Sequence, residues 1–91
     1  MTGDETFTIS PSVRTRELDD ELIVLDLGQG EYYSLNPSGA QIWKALEAGR
    51  GMNWIRAEVV TRWPIPLEEG MAMASMVLQD LLKRGLIVRT P

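Results

Sequence analysis

A chain of 91 residues that is 44% hydrophobic and 24% charged has material for a single domain with a real core, burying roughly 60 to 68% of the surface its unfolded form exposes. It contains no cysteine and no histidine, which excludes disulfides, thiolate nucleophiles, cysteine-ligated metals and the imidazole that most often serves as a base or metal ligand near neutral pH. The formal charge of −4 disfavours a protein that holds nucleic acid by counterion release, and the uncharged apolar runs, Leu22 to Leu25 among them, fall far short of the roughly 20 residues that cross a bilayer.

In chain order, Met1 to Glu5 carries Asp4 and Glu5 and leads into no apolar segment, so no secretory signal is expected and cytoplasmic residence is the default. Phe7 to Ser10 can add a short N-terminal strand. Val13 to Leu18, with Val and Thr at alternate positions, predicts a strand; Asp19 and Asp20 supply a turn, and Glu21 to Leu27 resumes as the second arm of a hairpin. A further turn at Gly28, Gln29 and Gly30, where both glycines accept positive φ, leads into a third strand over Glu31 to Leu35.

Helices follow. Asn36 is a good N-cap and Pro37 suits the first helical position; Ala40, Ile42, Trp43 and Leu46 share one face before Gly49 ends the run. Asn53 is the expected cap of a second helix of about three turns, with Ile55, Val59 and Trp63 recurring every four residues until Pro64 and Pro66 stop it. The third helix opens near Leu67 with Glu68 and Glu69 on the favourable side of the dipole, and closes with Lys83 and Arg84 ahead of Gly85. Leu86 to Val88 docks on the core or adds a small strand. Residues 1–91 thus form one domain of α+β class, a three-stranded antiparallel sheet followed by three helices, winged helix-turn-helix-like, with residues 1–6 and 90–91 loose.

Chemistry is scarce in this pattern. The acidic pairs Asp19–Asp20 and Glu68–Glu69 sit at a turn and in the first turn of a helix, which accounts for both. Gly28–Gln29–Gly30 leads into a strand rather than a helix N-terminus and lacks the Gly-Lys of a phosphate loop. Ser38 has no base to activate it. The expectation is therefore a protein without catalytic residues, cofactor or metal. On the third helix, at about 100° per residue, Leu67, Met71, Ala74 and Leu78 form a central line, with Met73, Val77, Leu81 and Arg84 along one flank. That apolar face is wider than burial against two neighbours requires, and methionine, represented by Met71, Met73 and Met76, also serves surfaces that accept varied peptides.

Asp20 to Leu25, then Gly30, Glu31, Tyr32 and Tyr33, then Leu35 and Asn36 into Ser38, Gly39, Ala40, Ile42 and Trp43, and finally Leu78, Leu81, Leu82, Gly85 and Leu86 give the chain its resemblance to the PqqD-like family of leader-peptide recognition proteins. The second helix departs from that pattern, since no acidic residue stands at the third helical position after Asn53. The resemblance implies a winged-helix-like domain that binds the leader of a ribosomally made precursor peptide and presents it to modifying enzymes. It is similar to the small free-standing leader-binding partner of lasso-peptide biosynthesis, which hands the precursor to a separate leader peptidase; the cofactor-biosynthesis branch stays open.

The residues support peptide binding in their own right. A meander has outer strands, and an extended peptide can satisfy the unpaired backbone groups of Glu31, Tyr32, Tyr33, Ser34 and Leu35 by strand addition. Alternation sends Tyr33 and Leu35 to one face and Tyr32 and Ser34 to the other, so that one tyrosine supports the core while the other meets peptide, with Tyr33 the favoured groove wall. Met73, Val77 and Leu81 are the expected apolar lining, and Asp80 and Arg84 polar clamps. Two rival readings use the same elements: a winged-helix DNA-binding module, opposed by the acidic balance and by Glu68 and Glu69, and an oligomerising domain that uses the edge and flank for itself. The partners expected are thus a leader peptide and a peptidase or other modifying enzyme, with no nucleic acid and no membrane.

Overall fold

The computed structural model of the protein describes residues 4–90. Along them run β1 (Phe7–Ile9), β2 (Val13–Leu18), β3 (Glu21–Asp26), β4 (Glu31–Leu35), α1 (Pro37–Glu47), α2 (Met52–Glu58), a 3-10 turn (Val60–Arg62), α3 (Leu67–Lys83) and β5 (Ile87–Arg89). β2, β3 and β4 form an antiparallel sheet in that spatial order, while β1 and β5 pair antiparallel in a second, two-stranded sheet. The α+β expectation holds. The strand foreseen at Phe7 and the apolar tail after Gly85 are two halves of one ladder, Phe7 opposite Arg89 and Ile9 opposite Ile87.

The sheet has one wet face and one dry face because its central strand alternates. Leu22, Val24 and Asp26 are buried towards the helices, and Ile23 and Leu25 are only half-buried on the other side. In register, Val24 stands between Thr15 and Tyr33, and Leu22 between Glu17 and Leu35. Asp19 turns the first hairpin with φ of 53°, a left-handed conformation that Asp tolerates better than most residues. The second turn differs from expectation. β3 stops at Asp26, one residue short of Leu27, and of the two glycines only Gly30 has positive φ. Asp26, 4% exposed, organises this turn: its Oδ1 accepts from the backbone N–H of Gly28 (3.1 Å) and Gln29 (3.2 Å), an Asx arrangement that substitutes for ladder bonds.

The helices pack on the dry face. α1 begins as its sequence predicts, with the Asn36 side chain accepting from the Gly39 N–H at 2.9 Å, and it buries Ile42, Trp43, Ala45 and Leu46. α2 is capped otherwise than expected. Asn53 lies inside its first turn, Gly51 holds the cap position without a side-chain bond, and the Asn53 N–H donates instead to Asp4 Oδ1 at 2.8 Å, beside a Met52 N–H to Glu5 carbonyl bond of 2.8 Å. The three expected turns become a two-turn α-helix and the 3-10 turn, after which Pro64 and Pro66 lack the donors that a continued helix would use. Gly70, buried in α3, faces this turn: a Cβ built there would sit 2.6 Å from Val60 Cγ1.

α1 and α3 end alike. Gly49 and Gly85 have φ of 78° and 74°, and the N–H groups of Arg50 and Leu86 reach back to the carbonyls of Ala45 and Leu81, the Schellman closure that favours glycine at the left-handed position. The closure after α3 turns Leu86 and Ile87 into the core, where they join Phe7, Val24, Trp43, Ile55 and Val60. Each such fully buried large side chain contributes about 1.5 to 3 kcal/mol.

The buried line of α3 is Gly70, Ala74, Leu78 and Leu81, rotated from the line read in the sequence; Leu67 is exposed and Met71 half-buried. The termini also differ from expectation. Residues 4–6 and Thr90, foreseen as loose, are tied in: besides capping α2, this segment links Thr6 carbonyl to Thr90 N–H (3.0 Å) and Glu5 to Arg89 (2.6 Å). The remaining residues of that expectation, 1–3 and 91, lie outside the described residues.

Candidate functional site

β4 is bonded to β3 along one edge, and among the described residues no strand occupies the other. A strand that leads straight into a helix cap at Asn36 presents alternate N–H and C=O groups along this edge. β2 is the sheet's other outer strand, and its exposed Arg14, Arg16 and Glu17 are the kind of side chains that discourage edge pairing. β4 has only Glu31 as a charged residue.

Beside β4 runs the last turn of α3, and four of the side chains singled out in the sequence meet there. Tyr33, half-buried on the dry face, has the Arg84 guanidinium 4.5 Å from its ring centroid. Its hydroxyl donates to Glu31 Oε1 at 2.6 Å, and Arg84 Nε donates to Asp80 Oδ2 at 2.9 Å. The Glu31 carboxylate, by accepting the phenol's hydrogen bond, holds Tyr33 above the usual tyrosine range, and burial adds to this against a smaller opposing effect of Arg84. Asp80 likewise raises Arg84 above its ordinary value, with Tyr33 adding to it. These four, with Gln29, Lys83 and Gly85, line an open cleft of about 470 Å³.

The other candidates are placed differently. Val77 and Met73 lie one and two turns back along α3, half-buried and 41% exposed respectively, outside this cleft. Leu81, expected as apolar lining, is 2% exposed and belongs to the core with Leu78. Leu35 packs half-buried against the core. Tyr32 and Ser34 are on the wet face, where Ser34 Oγ donates to Glu21 Oε1 at 3.0 Å. Gln29 and Lys83 were missed as cleft residues because each reads as punctuation, a turn residue and a helix-ending cation, and only the approach of the β3–β4 turn to Gly85 brings them together.

No group of three or more Asp or Glu among the described residues is placed to hold a metal ion. No helix among them is long and apolar enough to cross a membrane.

Two solved structures share the fold. TbiB1 in complex with the TbiA(beta) leader peptide superposes with a TM-score of 0.80 at 26% identity, over 88% of this chain and 93% of that one. Lasso peptide synthetase B1 complexed with the leader peptide gives a TM-score of 0.80 at 20% identity, over 90% and 96% of the two chains, a likeness of fold. No curated protein matches the sequence. The sequence profile of coenzyme PQQ synthesis protein D matches residues 21–87, from the start of β3 to the start of β5, which takes in the open-edged strand and all three helices: the chain belongs to the PqqD family.

Proposed function

We propose that the protein is a non-catalytic adapter that binds the leader segment of a ribosomally synthesised precursor peptide and delivers it, in the cytoplasm, to a modifying enzyme such as a leader peptidase. The observation that carries this reading is the open edge of β4 beside the last turn of α3, with Tyr33 and Arg84 in contact across the cleft there. The leader would add antiparallel to β4. Backbone bonds along Glu31 to Leu35 supply affinity that is indifferent to sequence, and side chains entering the groove supply specificity. Tyr33 forms its wall, Val77 and Met73 offer apolar contact, and Asp80 and Arg84 can engage polar groups of the leader. The described binding of a leader by the 26% identical TbiB1 supports the assignment.

The reading is tested with the leader half of a short precursor-like peptide, sought among the reading frames neighbouring this protein's gene, labelled and titrated against the full chain, together with amide exchange. Saturable binding with protection of the β4 amides is expected. Binding that leaves Glu31 to Leu35 unprotected would remove strand addition, and absence of binding would remove the adapter role for that precursor.

A further inference from the structure

An added strand projects alternate side chains to both faces of a sheet, and the groove beside α3 accounts for one face only. On the wet face, Arg14, Leu25 and Tyr32 stand in register, one from each strand, with Arg16, Ile23 and Ser34 in the next row. The helices pack on the opposite side, against Leu22 and Val24, so no element among the described residues covers this face. Tyr32 closes its row at the open edge and is 72% exposed. Its inner side already has Leu25 as a neighbour; its outer side faces the position that an added strand would take.

An exposed tyrosine on an edge strand has an ordinary explanation, because aromatic residues favour pleated surfaces whether or not they bind anything. That explanation makes Tyr32 matter for stability and not for affinity. The register makes it matter for both, since cross-strand pairs of aromatic with aromatic or β-branched side chains are among the strongest on a sheet. Two residues along, Ser34 is small and its hydroxyl is engaged by the Glu21 carboxylate, which leaves room there and sets a negative charge beside it.

We propose that Tyr32 is a second specificity residue for the leader: it pairs across the seam with an outward-facing side chain of the added strand and favours an aromatic or β-branched residue there, while Glu21 disfavours an acidic residue at the outward position opposite Ser34. The leader is then read on both faces of the sheet. This rests on strand addition to β4, and the test separates the two.

Each residue of the same labelled leader is changed singly to Ala and titrated against the full chain, wild type, Tyr32→Thr and Tyr32→Phe, with amide exchange on β4 throughout. Thr removes the ring but keeps strand propensity. Tyr32→Thr should weaken binding by about two- to five-fold, the range of one cross-strand pair, and Tyr32→Phe should restore it. One leader position should lose its alanine effect only in the Tyr32→Thr background, and its neighbours two residues away should fall on the same face. Wild-type affinity in Tyr32→Thr with β4 still protected by the leader would overturn the proposal and leave strand addition standing. Loss of β4 protection in the wild-type protein would overturn both.

Discussion

The guanidinium of Arg84 lies 4.5 Å from the ring centroid of Tyr33, and this contact fastens the end of α3 to the edge strand β4. Arg84 is the C-cap of α3, immediately before Gly85 with its φ of 74°. Its position is therefore fixed by the helix closure on one side and by Asp80, one turn earlier, on the other. A cation over an aromatic face is attractive even when exposed, so Arg84→Ala should loosen this end of the groove and weaken leader binding a few-fold, with Arg84→Lys intermediate. Calorimetric titration of the three proteins checks the order.

The same cluster makes Tyr33 a spectroscopic reporter. Its pKa is raised chiefly because the phenol donates to Glu31, and Arg84 opposes that shift. Glu31→Gln should therefore bring the Tyr33 titration down towards the ordinary range, and Arg84→Ala should push it further up. A group whose folded pKa is raised adds stability below its unfolded value near 10 and loses it as pH rises through the folded value. The Glu31–Tyr33 bond thus contributes at neutral pH and is lost in alkali. Phenolate absorbance, with Tyr32→Phe as background to isolate one tyrosine, measures both shifts.

At the start of α2, the structure separates two residues that the sequence confuses. The Asn53 backbone N–H is the donor and Asp4 Oδ1 the acceptor, 2.8 Å apart, so the Asn53 side chain is not the cap. Asp4→Ala should cost about 0.5 to 2 kcal/mol, the usual value of a lost cap, while Asn53→Ala should change stability by less than about 0.5 kcal/mol. Urea unfolding of both variants distinguishes the assignments; equal losses would return the cap to Asn53.

Gly70→Ala tests the packing of α3 against the 3-10 turn. Alanine improves intrinsic helix propensity by about 1 kcal/mol, yet the new Cβ would sit 2.6 Å from Val60 Cγ1 and 3.4 Å from the Trp63 ring. Overpacking of a tight site costs about 1 to 3 kcal/mol, and Val60, 1% exposed, has little room to yield. Net destabilisation of up to about 2 kcal/mol is expected in thermal or urea unfolding.

Much of this was legible in the residues because local and global preferences agree. Asn36 caps, Pro37 starts, Gly49 and Gly85 close, and β3 alternates in step with a core on one side, so strands, helices and the exposed edge of β4 follow from turn chemistry and periodicity. What was not legible depends on contacts between distant segments. Asp4 reaching Asn53, and Thr6 meeting Thr90, have no local signature. The rotation of α3 was misjudged for the same reason: period alone placed Leu81 on the flank with Val77, whereas the face that meets the core runs through Gly70, Ala74, Leu78 and Leu81.

Val77 and Leu81 therefore give the sharpest separation of groove from core. They are one helical turn apart and both aliphatic, one at the edge of the core and one within it. Leu81 is 2% exposed among Leu78, Leu86 and Ile87, and Leu81→Ala should destabilise the fold by about 2 to 5 kcal/mol through lost burial and the cavity left behind. Val77 is half-buried at the edge of the core, where a carboxylate can still reach water. Val77→Asp should leave most of the fold intact but set a charge against a peptide lying along α3, weakening leader binding by on the order of 1 to 3 kcal/mol. Circular dichroism under urea and leader titration are measured on the same two proteins. Affinity loss in Val77→Asp without a matching stability loss, and the reverse in Leu81→Ala after correction for the unfolded fraction, is the expected pattern. Wild-type affinity in folded Val77→Asp would place the leader away from this stretch of α3 and confine its contacts to β4 and the Tyr33–Arg84 end of the groove.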